Sequence, residues 1–322
     1  MIRFERPEDF RVDEVPLYAP AGEGGHTFVR LEKRGRTTEE VARELARAAG
    51  VRPGDVGYAG RKDRMSVSTQ WFSVPGLSPE RVTALELRNV RVIEAAAHPH
   101  KLRTGHLKAN RFTLIVRDLA PEALAAAPAR LARLVEKGMP NRFGGQRFGR
   151  DGDNADAGRR LLEGVLRVRD RRRARFLVSA LQAEVFNAVL AERGPDLVTL
   201  EAGDVAVIHA SGGPFVVDDP CVEQPRADAF EISATGPIFG TKVLEPQAAV
   251  ADRERRIRTA HGVADEIEPP RGIRLRGSRR PLRVRPEAAE VEARDTSLHL
   301  RFTLPPGCYA SVFVEEVLAS GG

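Results

Sequence analysis

The chain has 322 residues, enough for two domains or for one domain carrying a large insertion. Hydrophobic residues make up 42% and charged residues 30%, no apolar run approaches a membrane span, and Met1-Ile2-Arg3-Phe4-Glu5-Arg6 has no signal-peptide core. Lys plus Arg total 51 against 45 acidic residues, a net charge of +6 with only six lysines. Arginine suits RNA through bidentate phosphate contacts and stacking, although codon bias in a GC-rich genome gives the same ratio.

In chain order, Phe10 to Pro16 reads as a short strand and His26 to Lys33 as a second with partial alternation. Thr37-Thr38-Glu39-Glu40 has the pattern of a capping box, opening a helix with Val41, Leu45, Ala48 and Ala49 on one face and stopped by Gly50. Val56 to Ala59 reads as a buried strand, followed by a glycine-punctuated turn and a strand from Val67 to Val74. Further strands are expected at Arg91 to Ala95 and Arg111 to Arg117, then a helix from Pro121 to Lys137 ending at Gly138. The mixed order with hairpin-like spacing predicts an α+β fold.

From Asn141 to Asn154 the chain is loop-like and dense in glycine and arginine. Helices are predicted at Ala155 to Leu166 and about Arg173 to Arg193, the second with an apolar face that reads as core. Short strands and turns follow, including Asp204 to Ile208 and a turn at Gly236-Pro237-Ile238-Phe239-Gly240, then a charged helix from Glu245 to Thr259. A basic run from Arg271 to Arg285 could grip RNA. Strands at Glu290 to Ala293 and Ser297 to Leu304 and a helix from Tyr309 to Leu318 close the chain.

The sharpest chemical signal is Gly57-Tyr58-Ala59-Gly60-Arg61-Lys62-Asp63-Arg64. One carboxylate sits among three cations, which should lower its pKa and keep Asp63 a permanent anion. An anion on a scaffolded turn can be a nucleophile, and the cations beside it would attract a polyanion. From the residues alone, a surface turn in which Asp63 pairs with Arg61 or Arg64 is the commoner reading.

A second block, Pro140-Asn141-Arg142-Phe143-Gly144-Gly145-Gln146-Arg147-Phe148-Gly149, combines aromatic, amide and guanidinium groups suited to an unstacked base; the plain alternative is a turn with two aromatics in the core. A third, His100 to Phe112, could line Lys101, Arg103 and Lys108 along one phosphate-binding surface, or simply form a solvated face. His98, His100 and His106 match no standard metal spacing, and Cys221 and Cys308 lie far apart, so a metal-free, cytoplasmic protein is expected.

These blocks resemble, in order, the signatures of the TruD family of tRNA pseudouridine synthases. The Asp63 segment is similar to the family's Gly-x-Lys-Asp-(Arg/Lys)-x-(Ala/Ser)-Val-(Thr/Ser)-x-Gln. The second block is similar to its Pro-Asn-(Tyr/Phe)-Phe-Gly-x-Gln-Arg-Phe-Gly, with Arg142 in place of an aromatic, and the third has Ala109 where the family has glycine. Glu8-Asp9-Phe10 and the ending Leu304-Pro305-Pro306-Gly307-Cys308-Tyr309-Ala310-Ser311 also match the family's pattern.

The resemblance implies Asp63 as the catalytic nucleophile, with Phe10, Asn141 and Phe143 near it. Lys62, Arg64, Gln70, Lys101, Arg103 and Lys108 join them as substrate-binding candidates, Gln70 either at the uracil edge or bracing Asp63. It implies a pseudouridine-synthase-type mixed sheet flanked by helices, with a discontinuous catalytic domain at 1–155 and 272–322 and an inserted α/β domain at 156–271. The partner would be tRNA, at uridine 13 of the D-arm, with no cofactor and a monomeric enzyme expected. A non-catalytic RNA-binding protein and a carboxylate-dependent nucleoside hydrolase stay open as alternatives; the latter normally wants a second acid.

Overall fold

The computed structural model describes residues 4, 6–264 and 275–319. Arg271 and Arg274, which open the basic run, lie outside the described residues. Packing divides the chain into two compact units: one from 2–132, 286–310 and 317–322, the other from residue 1, 133–285 and 311–316.

The first unit begins with β1 (Phe10–Pro16), β2 (His26–Arg34), α1 (Thr38–Ala49), β3 (Gly57–Tyr58), β4 (Val67–Pro75), α2 (Pro79–Thr83), β5 (Val90–His98) and β6 (Leu107–Val116). α3 (Pro121–Lys137) then carries the chain into the second unit. There follow β7 (Met139–Pro140), α4 (Asn154–Leu162), α5 (Arg171–Arg193), β8 (Val205–Ile208), β9 (Pro214–Val216), α6 (Pro220–Asp228), β10 (Ile232–Ile238), α7 (Ala248–Ala260), β11 (Ser278–Pro281) and β12 (Arg283–Val284). β13 (Glu287–Arg294), β14 (Ser297–Leu304) and α8 (Ala310–Leu318) complete the chain.

Among the described residues the first unit holds an eight-stranded mixed sheet ordered β13-β14-β6-β1-β4-β2-β5, with β3 on β4. Only β1 and β4 run parallel, pairing Arg11 with Val67 and Asp13 with Thr69. β4 is buried from Val67 through Val74, whereas β2 alternates. α1 starts where the sequence predicts: the Thr37 hydroxyl accepts from Glu40 N at 3.2 Å, and Glu40 Oε2 accepts from Thr37 N at 2.8 Å. It stops at Gly50, whose φ of 69° is left-handed. Val41, Ala42 and Leu45 of α1 pack against Val29, Leu31 and Phe72 of the sheet. On the other face Phe28, Trp71, Leu102 and Leu107 form a smaller cluster.

The second unit is built around α5, which buries Val178, Leu181 and Val185 with Phe239 and Ile257, and Phe186 with Ala206, Ile232 and Leu282. α5 is long and apolar enough to cross a membrane by length and composition, contrary to the expectation from the sequence, yet most of that stretch is buried inside the protein. The expected turn at Gly236-Pro237 is instead the end of β10, paired with β11 at Pro237 and Arg279. β8 has left the other edge by then, so the missing proline N–H costs no ladder bond. Gly236 is small because Phe186 packs against it; an added Cβ would lie 3.0 Å from that ring. β5 extends beyond its predicted limits, β6 begins at Leu107 rather than Arg111 and ends at Val116, and α4 ends at Leu162 rather than Leu166.

Two arginines of the basic run are structural, while Arg276 is exposed. Arg279 is buried against Glu254 at 2.6 Å, and Arg283 is 1% exposed, bonded to the carbonyls of Lys137 and Ala227 and to the Ser233 hydroxyl. These arginines hold β10, β11 and β12 to their neighbours and do not reach solvent.

Candidate active site

Asp63 lies on the turn between β3 and β4, and every neighbour that shapes this turn belongs to the first unit. The turn is fixed from beneath. Thr38, first residue of α1, accepts from Lys62 N at 2.9 Å and donates to Gln70 Oε1 at 2.9 Å. Gln70, fully buried, donates from Nε2 to Gly60 O. The carbonyl of Asp63 accepts from Ser66 Oγ at 2.7 Å and from Lys33 Nζ at 3.2 Å. Ahead of the turn, Gly57 meets Leu102 so closely that a Cβ would lie 2.2 Å from its carbonyl oxygen, and Gly105 N donates to Ala59 O at 2.8 Å.

The three cations of the motif are placed differently from the sequence expectation. Arg61 pairs with Glu39 at 2.6 Å and Arg64 with Glu40, both partners lying in the first turn of α1. Lys62 is buried and donates to Glu14 Oε2 and to Asn110 Oδ1, each at 2.8 Å. None of the three forms an ion pair with Asp63. Lys62 and Gln70 thus hold the turn with the side chains expected at the substrate, Gln70 through Gly60 and Thr38. Arg64 stays exposed, so its ion pair is weak and exchangeable.

The predicted low pKa of Asp63 is also corrected. Its carboxyl is pushed above the ordinary value, chiefly by desolvation, with Lys33 and then Lys62 pulling it back down. Asp63 is nonetheless exposed, so the upward push is modest. A carboxyl that meets water on one side loses much of its bulk hydration when protein crowds the others, and the charges that would repay that loss are bound elsewhere.

Phe10 opens β1 and packs edge-on against Phe4 at 5.0 Å and Phe112 at 6.1 Å. Lys101 donates to Gly54 O, whereas Arg103 and Lys108 are exposed. Lys108 lies on β6 two residues before Asn110, where the register against β1 shifts between Leu107 and Ala109. His98 stacks on Tyr18 at 5.4 Å and tilts over Phe28 at 4.2 Å, while His106 Nδ1 bonds the Tyr18 hydroxyl at 2.8 Å. Among the described residues no group of three or more His, Cys, Asp or Glu side chains is placed to hold a metal ion.

Asn141 and Phe143 belong to the second unit and form a cluster of their own. Asn141, 5% exposed, donates from Nδ2 to Pro281 O at 3.0 Å and accepts at Oδ1 from Arg280 Nη2 at 2.5 Å. Arg280 Nε donates to the Asn141 carbonyl at 3.0 Å, and its guanidinium carbon lies 4.2 Å from the Phe143 ring centre. Asn187 of α5 locks the backbone of Phe143 from both sides, accepting from its N at 2.8 Å and donating to its O at 2.9 Å. Arg142 pairs with Glu315 at 2.8 Å and Glu316 at 3.2 Å. Sequence reasoning did not single out Glu14, Lys33, Thr38 or Asn187, and placed Asn110 and Arg280 only within the third block and the basic run. Only Lys33 had a local signal: the alternation of β2 puts it in phase with Val29 and Leu31, where an apolar residue belongs.

Comparison with known proteins bears on both units. The family model described as tRNA pseudouridine synthase D (TruD) matches residues 2–168 and 161–317. A tRNA pseudouridine synthase D from Anaeromyxobacter sp. (strain Fw109-5) is 45% identical over 323 residues, covering 98% of this chain and 91% of that protein. One from Thermus thermophilus is 43% identical over 322 residues, covering 98% and 88%. The crystal structure of a protein from Methanosarcina mazei described as a TruD superimposes with a TM-score of 0.78 at 20% identity, covering 98% of this chain and 93% of that one. That likeness extends to the mixed α+β fold.

Proposed function

The chain belongs to the TruD family of tRNA pseudouridine synthases, and on that premise we propose that it isomerises uridine 13 in the D-arm of tRNA to pseudouridine, with Asp63 as nucleophile. The observation that carries this reading is the Asp63 turn: a solvent-touching carboxylate whose backbone carbonyl is held by Ser66 and Lys33, and whose neighbouring cations are engaged by Glu14, Glu39 and Glu40.

The reaction breaks the C1′–N1 bond, turns the uracil and joins C1′ to C5; C5 gives up a proton and N1 gains one, so the product is an isomer. It calls for one ionised carboxylate at the sugar or base. Asp63 is a better nucleophile for its raised pKa, because a carboxylate fully stabilised by ion pairs is a weak one. The target uridine must leave its stack, at a cost of about a few kcal/mol that aromatic contact offsets in part. Phe143 and Phe10 are our candidates for that contact, and Asn141 for a polar contact to the base. Arg103, Lys108 and the exchangeable Arg64 would meet backbone phosphate, with Lys101 beside them. We assign 156–271 as the family's insertion; it lies wholly within the second unit. The enzyme would act as a monomer in the cytoplasm, where its tRNA substrate is found.

The test is incubation with an unmodified tRNA transcript carrying uridine 13, with pseudouridine mapped by chemical derivatisation. Conversion at that position, lost in Asp63→Asn, is the expected result. Release of free uracil would instead favour a nucleoside hydrolase, and tRNA binding without conversion would favour a non-catalytic RNA-binding protein.

A further inference from the structure

Lys33 is completely buried on β2, on the face that packs Val29 and Leu31 against α1. Methionine or leucine would fill that place without desolvating a charge, so packing does not account for a lysine here. Its ammonium donates to Arg36 O at 2.7 Å and to Asp63 O at 3.2 Å, and among the described residues it forms no ion pair with a carboxylate.

The charges facing it are Asp63 and Lys62 on the turn and Glu39 and Glu40 on α1; its cross-strand neighbours Ser68 and Val90 carry none. Lys62 is matched by Glu14, Glu39 by Arg61 and Glu40 by Arg64. Among the described residues Asp63 and Lys33 are what remain, an anion without a paired cation and a cation without a paired anion, joined through the aspartate's own backbone. Resting on the reading of Asp63 as nucleophile, we propose that Lys33 is a positioning residue for the reaction, clamping the Asp63 carbonyl from inside the protein and supplying the buried positive charge against which the carboxylate ionises.

The coupling runs both ways. Lys33 lowers the pKa of Asp63, and Asp63 raises that of Lys33, which burial has brought down to about 8. Loss of the Lys33 proton at alkaline pH therefore weakens the charge beneath the nucleophile.

Single-turnover rates on the tRNA transcript, measured from acid to alkaline pH for wild type, Lys33→Met and Ser66→Ala, test the proposal. Ser66→Ala removes a donor from the same carbonyl but no charge. Lys33→Met is expected to move the acid limb upward by about one pH unit and to abolish the alkaline decline, with tRNA affinity unchanged. Ser66→Ala is expected to lower the rate without moving either limb. An acid limb in Lys33→Met that coincides with wild type overturns the proposal.

A second measurement needs neither turnover nor the Met variant. With only six lysines in the chain, lysine 13Cε labelling resolves the Lys33 titration by NMR. In Asp63→Asn its midpoint should fall; an unmoved midpoint overturns the charge coupling. If wild type fails to convert tRNA while this midpoint still falls, the uridine-13 reading has failed and the Lys33–Asp63 coupling stands.

Discussion

The Asp63 turn and the Asn141–Phe143 segment both pair cations with carboxylates, Arg142 with Glu315 and Glu316 in the second, but the second also sets a guanidinium against an amide and an aromatic ring. Around Asp63, Arg61, Lys62 and Arg64 each have a carboxylate partner, and among the described residues Asp63 forms no ion pair. Around Asn141 and Phe143, Arg280 is spent on an amide, a carbonyl and an aromatic face. The first arrangement leaves the Asp63 carboxylate outside the ion pairs, because each cation of its turn is matched by a glutamate. The second fixes an amide and a ring with a planar cation that stacks and donates at once. Sequence proximity of opposite charges is thus a poor guide to which charges meet.

The sharpest way to break this comparison is Asp63→Asn, which should reduce turnover at least about a thousandfold while tRNA affinity stays within about twofold. Next is Glu14→Gln, which strands Lys62 as a buried cation and should cost about 3–5 kcal/mol, read by chemical denaturation. If Lys62 were instead satisfied by Asp63, the loss would be small and activity would fall with it. Arg280→Ala removes charged donors from Asn141 and the cover of Phe143; a loss of about ten- to a hundredfold in kcat/KM is expected, with the pH profile unchanged.

A smaller effect sharpens the electrostatic half. A carboxyl whose folded-state pKa lies above its unfolded value favours the fold while protonated, and that contribution is lost as pH rises through the folded value. Asp63 therefore penalises stability at neutral pH. Asp63→Asn should melt no lower than wild type at neutral pH, any gain being small because Asp63 is exposed and shrinking further in acid, by calorimetry. The smallest effect is at the surface pairs: Arg61→Ala should change stability by less than about 1 kcal/mol. If that arginine exchanges its glutamate for phosphate, the salt dependence of tRNA binding should fall by about one unit of slope.

Much of this was written locally in the chain. The Thr37–Glu40 capping box, the Gly50 stop, the limits of β1 and the glycine-rich approach to Asp63 follow from nearest-neighbour patterns, and all are found. What local pattern does not carry is partner choice. Nothing near residue 62 announces that Lys62 belongs to Glu14 and Asn110, since those pairings depend on β1 lying parallel to β4 and antiparallel to β6. The raised pKa of Asp63 was misread for the same reason. Gly236-Pro237 was misread because its turn-forming residues sit where one strand edge has already been vacated.

The bond set Glu14–Lys62–Asn110 also dictates when the Asp63 turn can form. Each link spans 48 residues of chain, so the turn cannot acquire its final shape until β6 has been synthesised and has paired with β1. Contacts this distant form late in folding. A nascent chain still missing β6 would carry the motif around Asp63 without the geometry that makes it a site, and the enzyme becomes competent only when its central sheet is assembled.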